Sequence, residues 1–216
     1  RVVFAGALLA MLPVSPAAAK EPAPGIRPFT IKIEQAVLDD LDQRLSRTRF
    51  PDQVKDARWD YGADLAYMRT LVNYWRTDFD WRAQERALNK LHHYKTSIDG
   101  LDIHFVHERS RHKDAMPLVL VHGWPGSFVG FQKVIGPLTD PTAHGGKAQD
   151  AFHVVVPSLP GFGFSDRPRV KGWNNTRMAE TLGKLMQRLG YDRYGAQGGD
   201  WGASISAWLG RNDSDH

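Results

Sequence analysis

Two short stretches, MPLVLVHG (116–123) and FHVVVPSLPG (152–161), constrain this chain more than any other feature. Each holds an apolar run too short for a helix and without the polar alternation of a strand that has one wet face. Such a run belongs to a strand covered on both faces, the environment inside a parallel sheet packed between helices. Helical patterns surround them: SFVGFQKVIGPL, the amphipathic NNTRMAETLGKLMQRLG ending at Gly190, and WGASISAWLG behind the strand YGAQGG. Strand alternating with helix predicts an α/β fold with a mostly parallel, doubly covered sheet.

The region upstream has a different period. Residues 30–95 read as helical, with Val37, Leu38, Leu41 and Leu45 on one face and Leu65, Met68, Val72 and Trp75 on a second. A third segment opens at Asp80, a suitable N-cap, and carries Trp81, Leu88 and Leu91. The dense aromatic residues here (Trp59, Tyr61, Tyr67, Tyr74, Trp75, Phe79 and Trp81) are expected to pack in a core. From residue 96 the pattern alternates, and Asp99-Gly100 within TSIDGLDIHFVHE signals a hairpin. These readings divide the chain into residues 1–19, a linker at 20–28, a helical domain at 29–97 and an α/β portion at 98–216.

Residues 1–19 contain the thirteen-residue apolar run VVFAGALLAMLPV, followed by SPAAAK. The run is short for a hydrocarbon core of about 30 Å. Ala17-Ala18-Ala19 offers the small residues of a signal-peptidase site, so export to the periplasm or medium is expected, with an uncleaved membrane anchor as the alternative.

Composition narrows the function. The net charge is +4 and no lysine or arginine run occurs, which argues against nucleic-acid binding. There is no cysteine, which removes disulfides, thiolate nucleophiles and cysteine-based zinc sites. The histidines have no accompanying ligand pattern, so neither metal nor cofactor is expected. His104, His107, His112 and the His92-His93 pair are read as structural or surface residues.

Chemistry concentrates in AQGGDWGAS (196–204). Gly198 and Gly202 lie two positions either side of Asp200, with Gly199 between, at a strand-to-helix junction. That is the spacing of a nucleophile elbow, where backbone crowding admits only small residues. The following helix favours an ionised Asp200. Alone, the pattern also fits a glycine-rich turn with a helix-capping aspartate. The loop His122-Gly123-Trp124-Pro125-Gly126, two strands earlier, weighs against that plainer reading. In this architecture such a loop supplies one backbone N–H to an oxyanion hole, and the residue after the nucleophile supplies the other; here these are Trp124 and Trp201. His122 is expected to order the loop and Asp166 to organise its own turn.

HGWPGS, PSLPGFGFSD and QGGDWG together resemble the microsomal-type epoxide hydrolases of the α/β-hydrolase superfamily. RLSRTRFPD, WDYG, YWRTDFDWRAQE and LNKLHHYKTSIDGLDIHFVHE resemble that family's N-terminal domain, so the likeness spans about residues 28–210. It implies the first half of an α/β-hydrolase fold behind a helical N-terminal domain, and a cis Trp124–Pro125 peptide. It also implies a late histidine–carboxylate pair and two lid tyrosines, none of which falls on a residue here. The 216 residues alone are therefore expected not to turn over substrate.

An aspartate nucleophile selects the electrophile. Attack on an ester or amide would yield a mixed anhydride more reactive than the substrate. Attack on a saturated carbon yields an alkyl ester that water can later cleave. The expected partners are thus a small apolar epoxide and water. A haloalkane dehalogenase is the alternative enzyme, and a non-catalytic ligand-binding relative the alternative outside enzymes.

Overall fold

The structure, a computed structural model, describes residues 25–212. The predicted export segment, residues 1–19, and His216 lie outside them. A six-stranded sheet runs through the molecule. Its strands are β1 (Ile26–Pro28), β2 (His93–Ile98), β3 (Leu101–Glu108), β4 (Met116–Val121), β5 (Phe152–Pro157) and β6 (Gly195–Gly198), in the order β1-β2-β3-β5-β4-β6.

The sheet is mixed, where a mostly parallel one was expected. β1 with β2, β2 with β3 and β3 with β5 pair antiparallel, while β4 runs parallel to β5 and β6. The direction follows from the connections. Asp99 (φ 51°) and Gly100 (φ 80°) both occupy the left-handed region, forming the two-residue turn that reverses the chain between β2 and β3. Strands joined through helices return in the same direction. The linker reading also needs correction, because β1 lies within it and pairs Ile26 with Thr96. Likewise β2, assigned above to the helical domain, belongs to the sheet.

Both faces of the sheet are covered. On one, Phe105, Val119, Val121 and Val155 pack against α5 (Asn175–Arg188) and α6 (Trp201–Asn212). Asn174 caps α5 by accepting from the Arg177 N–H at 3.0 Å, and Gly190 (φ 79°) lies just past its end. The helix buries Met178, Leu182, Leu185 and Met186; a leucine so enclosed contributes about 1.5–3 kcal/mol. On the other face, Val106, Leu120, Val154 and Val156 meet Ile135 of α4 (Gln132–Thr139), Ile31, Phe128 and Leu88.

The helical region comprises α1 (Gln35–Ser46), α2 (Leu65–Thr77) and α3 (Trp81–Leu88). α3 and the residue after it are tied to the segment that follows β1. The Asn89 side chain bonds both main-chain groups of Ile31 at 2.9 Å, and Glu85 accepts from Ile33 N–H at 2.7 Å. Asp80 caps α3 through the Ala83 N–H, as the sequence indicates. The expected aromatic core is not found. α1 and α2 bury no residue, and Trp59, Tyr61, Tyr67, Tyr74 and Trp75 are exposed. Helical periodicity marks an apolar face, but among the described residues little covers this one.

Candidate active site

β4 stands between β5 and β6, so the loops leaving β4 and β6 open where the strand order reverses, the usual place for a site in an open α/β sheet. The ladder pairs Val121 with Gly198, which sets the loop beginning at His122 beside the turn holding Asp200.

That turn is strained and crowded. Asp200 has φ 56°, in the left-handed region that a residue with a Cβ occupies at a cost of about 1–2 kcal/mol. A Cβ on Gly198 would lie 2.5 Å from the Gly202 backbone and 2.7 Å from the Val121 oxygen, and one on Gly202 would overlap the Val121 carbonyl. Glycine is therefore required at both positions. A Cβ on Gly199 would meet nothing within 4 Å, so the crowding falls on Gly198 and Gly202 and not on it.

The companion loop turns through a cis Trp124–Pro125 peptide, and Gly126 N–H donates to the Gly123 carbonyl at 2.8 Å across it. A Cβ on Gly123 would come within 2.5 Å of Asp200 Oδ1, so glycine here admits the carboxylate. Trp124 N–H donates to Asp200 Oδ1 at 2.9 Å. The Trp201 amide, and after it the Trp124 amide, hold the Asp200 carboxyl below the usual carboxylate range, against an opposing effect of desolvation. The site thus joins an exposed anionic oxygen pair to two amides aimed at it, beside the positive end of α6.

His122 is buried behind the loop. Its Nε2 accepts from the Leu159 N–H at 3.1 Å, which leaves Nδ1 to carry the proton and donate to the Gly123 carbonyl at 3.0 Å. Burial lowers its pKa and keeps the ring neutral. The Phe162 ring edges onto both His122 and Trp201, with centroids 5.4 and 6.0 Å away, and Trp124 is 63% exposed. Phe162 thus bridges the HGWPG loop and the elbow. Asp166 accepts from Asp102 N–H at 3.0 Å through its side chain, fixing the GFGFSD loop to β3.

The other histidines stand apart. His93, His104 and Ser158 form a buried chain, with His93 Nδ1 3.0 Å from His104 Nε2 and His104 Nδ1 2.9 Å from Ser158 Oγ. Burial, then the neighbouring His93 and Lys95, press the His104 pKa down to about 3. His107 contacts the Tyr191 hydroxyl at 2.7 Å and His92 pairs with Glu108. His112 lies 3.5 Å from Asp140. Among the described residues, no group of three or more candidate ligands is placed to hold a metal. An apolar cavity of about 780 Å³ opens among α1, α2 and α3, between residues such as Leu41, Leu71 and Trp75. No residue of the elbow or the HGWPG loop lines it, so cavity size does not mark this site. Sequence reasoning missed Ser158, Leu159 and Ser165, whose partners behind the loop carry no spacing signal.

A family model described as epoxide hydrolase N terminus matches residues 26–131, and one described as alpha/beta hydrolase fold matches residues 116–216. A Stigmatella aurantiaca protein with a provisional epoxide hydrolase name is 56% identical over 185 residues, 86% of this chain and 42% of its own length. Epoxide hydrolase 1 of Sus scrofa is 44% identical over 194 residues, 88% of this chain and 42% of its own. The crystal structure of juvenile hormone epoxide hydrolase from the silkworm Bombyx mori superposes with a TM-score of 0.80 at 33% identity, covering 88% of this chain and 50% of that one. The chain thus spans less than half the length of these two sequence relatives.

Proposed function

This chain belongs to the epoxide hydrolase family of α/β hydrolases, and from that premise we propose that Asp200 is the nucleophile of an enzyme opening epoxides to vicinal diols. The observation that carries the reading is the approach of the Trp124 amide to Asp200 Oδ1 at 2.9 Å across a glycine-lined turn. In the first step an Asp200 oxygen, which we assign as Oδ2 because Oδ1 is engaged, attacks an oxirane carbon. The C–O bond breaks, its electron pair stays on the oxygen, and a proton completes the hydroxyl.

In the second step water adds to the carbonyl carbon of the Asp200 ester. The oxyanion that develops lies where the Trp124 and Trp201 amides point, and each donor so placed contributes about 3 kcal/mol to that transition state. Collapse releases the diol and restores the carboxylate with one oxygen from water. The proton donor for the opening ring and the base for the water are assigned to no residue of this chain. Trp124, Trp201 and Phe162 suit a small apolar epoxide. Export directed by residues 1–19 belongs to the same reading and is checked by N-terminal sequencing of secreted protein.

Multiple turnovers of the complete gene product in heavy-oxygen water test the function. Label is expected in the Asp200 carboxylate, and Asp200→Asn should lower diol formation by about 10⁴-fold or more. Diol formation without label would reject the ester route.

A further inference from the structure

Behind the Trp124 amide the hydrogen bonds run head to tail without a break. His104 N–H donates to Ser165 Oγ at 2.9 Å, and that hydroxyl donates to the Ser158 carbonyl at 2.7 Å. The other end of the same peptide unit, Leu159 N–H, donates to His122 Nε2 at 3.1 Å. His122 Nδ1–H donates to the Gly123 carbonyl at 3.0 Å, and the other end of that peptide unit is Trp124 N–H, which reaches Asp200 Oδ1. Every group has one possible sense. A carbonyl can only accept, so Ser165 must donate to Ser158; an amide can only donate, so His122 must accept at Nε2 and donate at Nδ1.

We propose that Ser165 is a positioning residue for the reaction, acting through the Ser158–Leu159 peptide, His122 and the Gly123–Trp124 peptide to aim and polarise the Trp124 N–H. The proposal rests on the nucleophilic role of Asp200. Two physical effects combine. Donation to the Gly123 carbonyl by His122, and at 2.8 Å by Gly126 N–H, fixes the rotation of the peptide plane whose N–H faces the carboxylate. Donation into a carbonyl also makes the N–H of the same unit a better donor, so each bond strengthens the next. The chain is anchored upstream: Ser158 N–H donates to the His104 carbonyl at 2.8 Å, and Ser158 Oγ bonds the buried His104 ring. A Cβ on Gly163 would strike Ser158 Oγ, so glycine at this position of the GFGFS loop leaves room for the anchor.

The consequence falls on the step in which negative charge builds on the Asp200 oxygen. Removing an oxyanion donor outright costs about 10²–10³-fold, and cooperative strengthening amounts to roughly 10–30% per bond. Two links separate the Ser165 bond from the Trp124 bond, so Ser165→Ala should slow ester hydrolysis by no more than about eightfold, with little change in the alkylation that precedes it. The test combines single-turnover kinetics of both steps with the amide proton resonance of Trp124, measured on the complete gene product. Ser165→Ala is expected to move that resonance to higher field, and Ser165→Thr, which keeps the hydroxyl, to restore both resonance and rate. An unmoved Trp124 resonance in Ser165→Ala, or a Ser165→Thr variant that behaves like alanine, overturns the proposal. Should Ser165→Ala not fold, Ser165→Cys, a weaker donor, must give an intermediate shift; no shift again overturns it. The resonance is read in the resting protein, so the chain can be judged even if Asp200 carries no label and the nucleophilic role fails.

Discussion

Half of the fourteen residues of α5 are buried, whereas α1 and α2, 12 and 13 residues long, bury none. All three helices carry apolar residues at helical spacing. The difference lies in what faces them. α5 lies on a sheet whose Val119, Val121 and Val155 are fully enclosed, while α1 and α2 have chiefly each other. Periodicity in a sequence therefore reports that a helix has an apolar face, and says nothing about how much of that face the described chain covers. The candidate site is built on the ends of β4 and β6, strands of that enclosed sheet.

Four measurements break or sharpen this contrast. The largest effect is expected from Gly202→Val, which drives a side chain into the Val121 carbonyl where even a Cβ has no room. A loss of more than 4 kcal/mol in unfolding free energy, or failure to accumulate folded protein, is the expected outcome. Near-normal stability would show that the elbow can open. Next, Leu185→Ala, at a fully buried position of α5, should cost about 2–5 kcal/mol by denaturant unfolding.

Third is pH. Burial, then nearby Arg109 and the neighbouring imidazoles, depresses the His107 pKa to about 3, as burial does for His104. Each folded-state pKa lies below the unfolded value of about 6.5, so between these limits the unfolded chain binds more protons. Stability is then complete above about pH 6.5 and falls as pH drops toward 3, by up to about 1.4 kcal/mol per pH unit for each histidine. Hydrogen-exchange protection factors in β3, which correct for the intrinsic rate, should fall with acid, and replacing both rings with asparagine should flatten the slope. The smallest effect belongs to Leu71→Ala in α2, 41% exposed, where about 0.5–1 kcal/mol is expected. A cost matching that of Leu185→Ala would mean that the α1–α2 face is covered in the complete protein.

Much of the site was legible because its constraints are local. Gly198 and Gly202 announce a tight crossing within five residues, and HGWPG is itself a contiguous loop. The Asp99-Gly100 turn, the Asp80 cap and the α5 stripe were legible for the same reason. What escaped depends on partners far along the chain. Ile26 pairs with Thr96, and a three-residue strand ending in proline has no pattern of its own. The antiparallel pairing of β3 with β5 is set by packing and leaves no local trace. Ser165 takes a hydrogen bond from a residue 61 positions away and gives one seven positions away, so nothing in GFGFSD distinguishes it from an ordinary loop serine.

The pairing of Val121 with Gly198 has a further consequence. It works as a ruler: the amide and the carboxylate, 76 residues apart in sequence, are spaced by one rung of a parallel ladder. α4 and the loops outside HGWPG and residues 158–165 can lengthen, shorten or change composition without altering that spacing. A single residue inserted within β4 or β6 would shift the two groups past one another by a full rung.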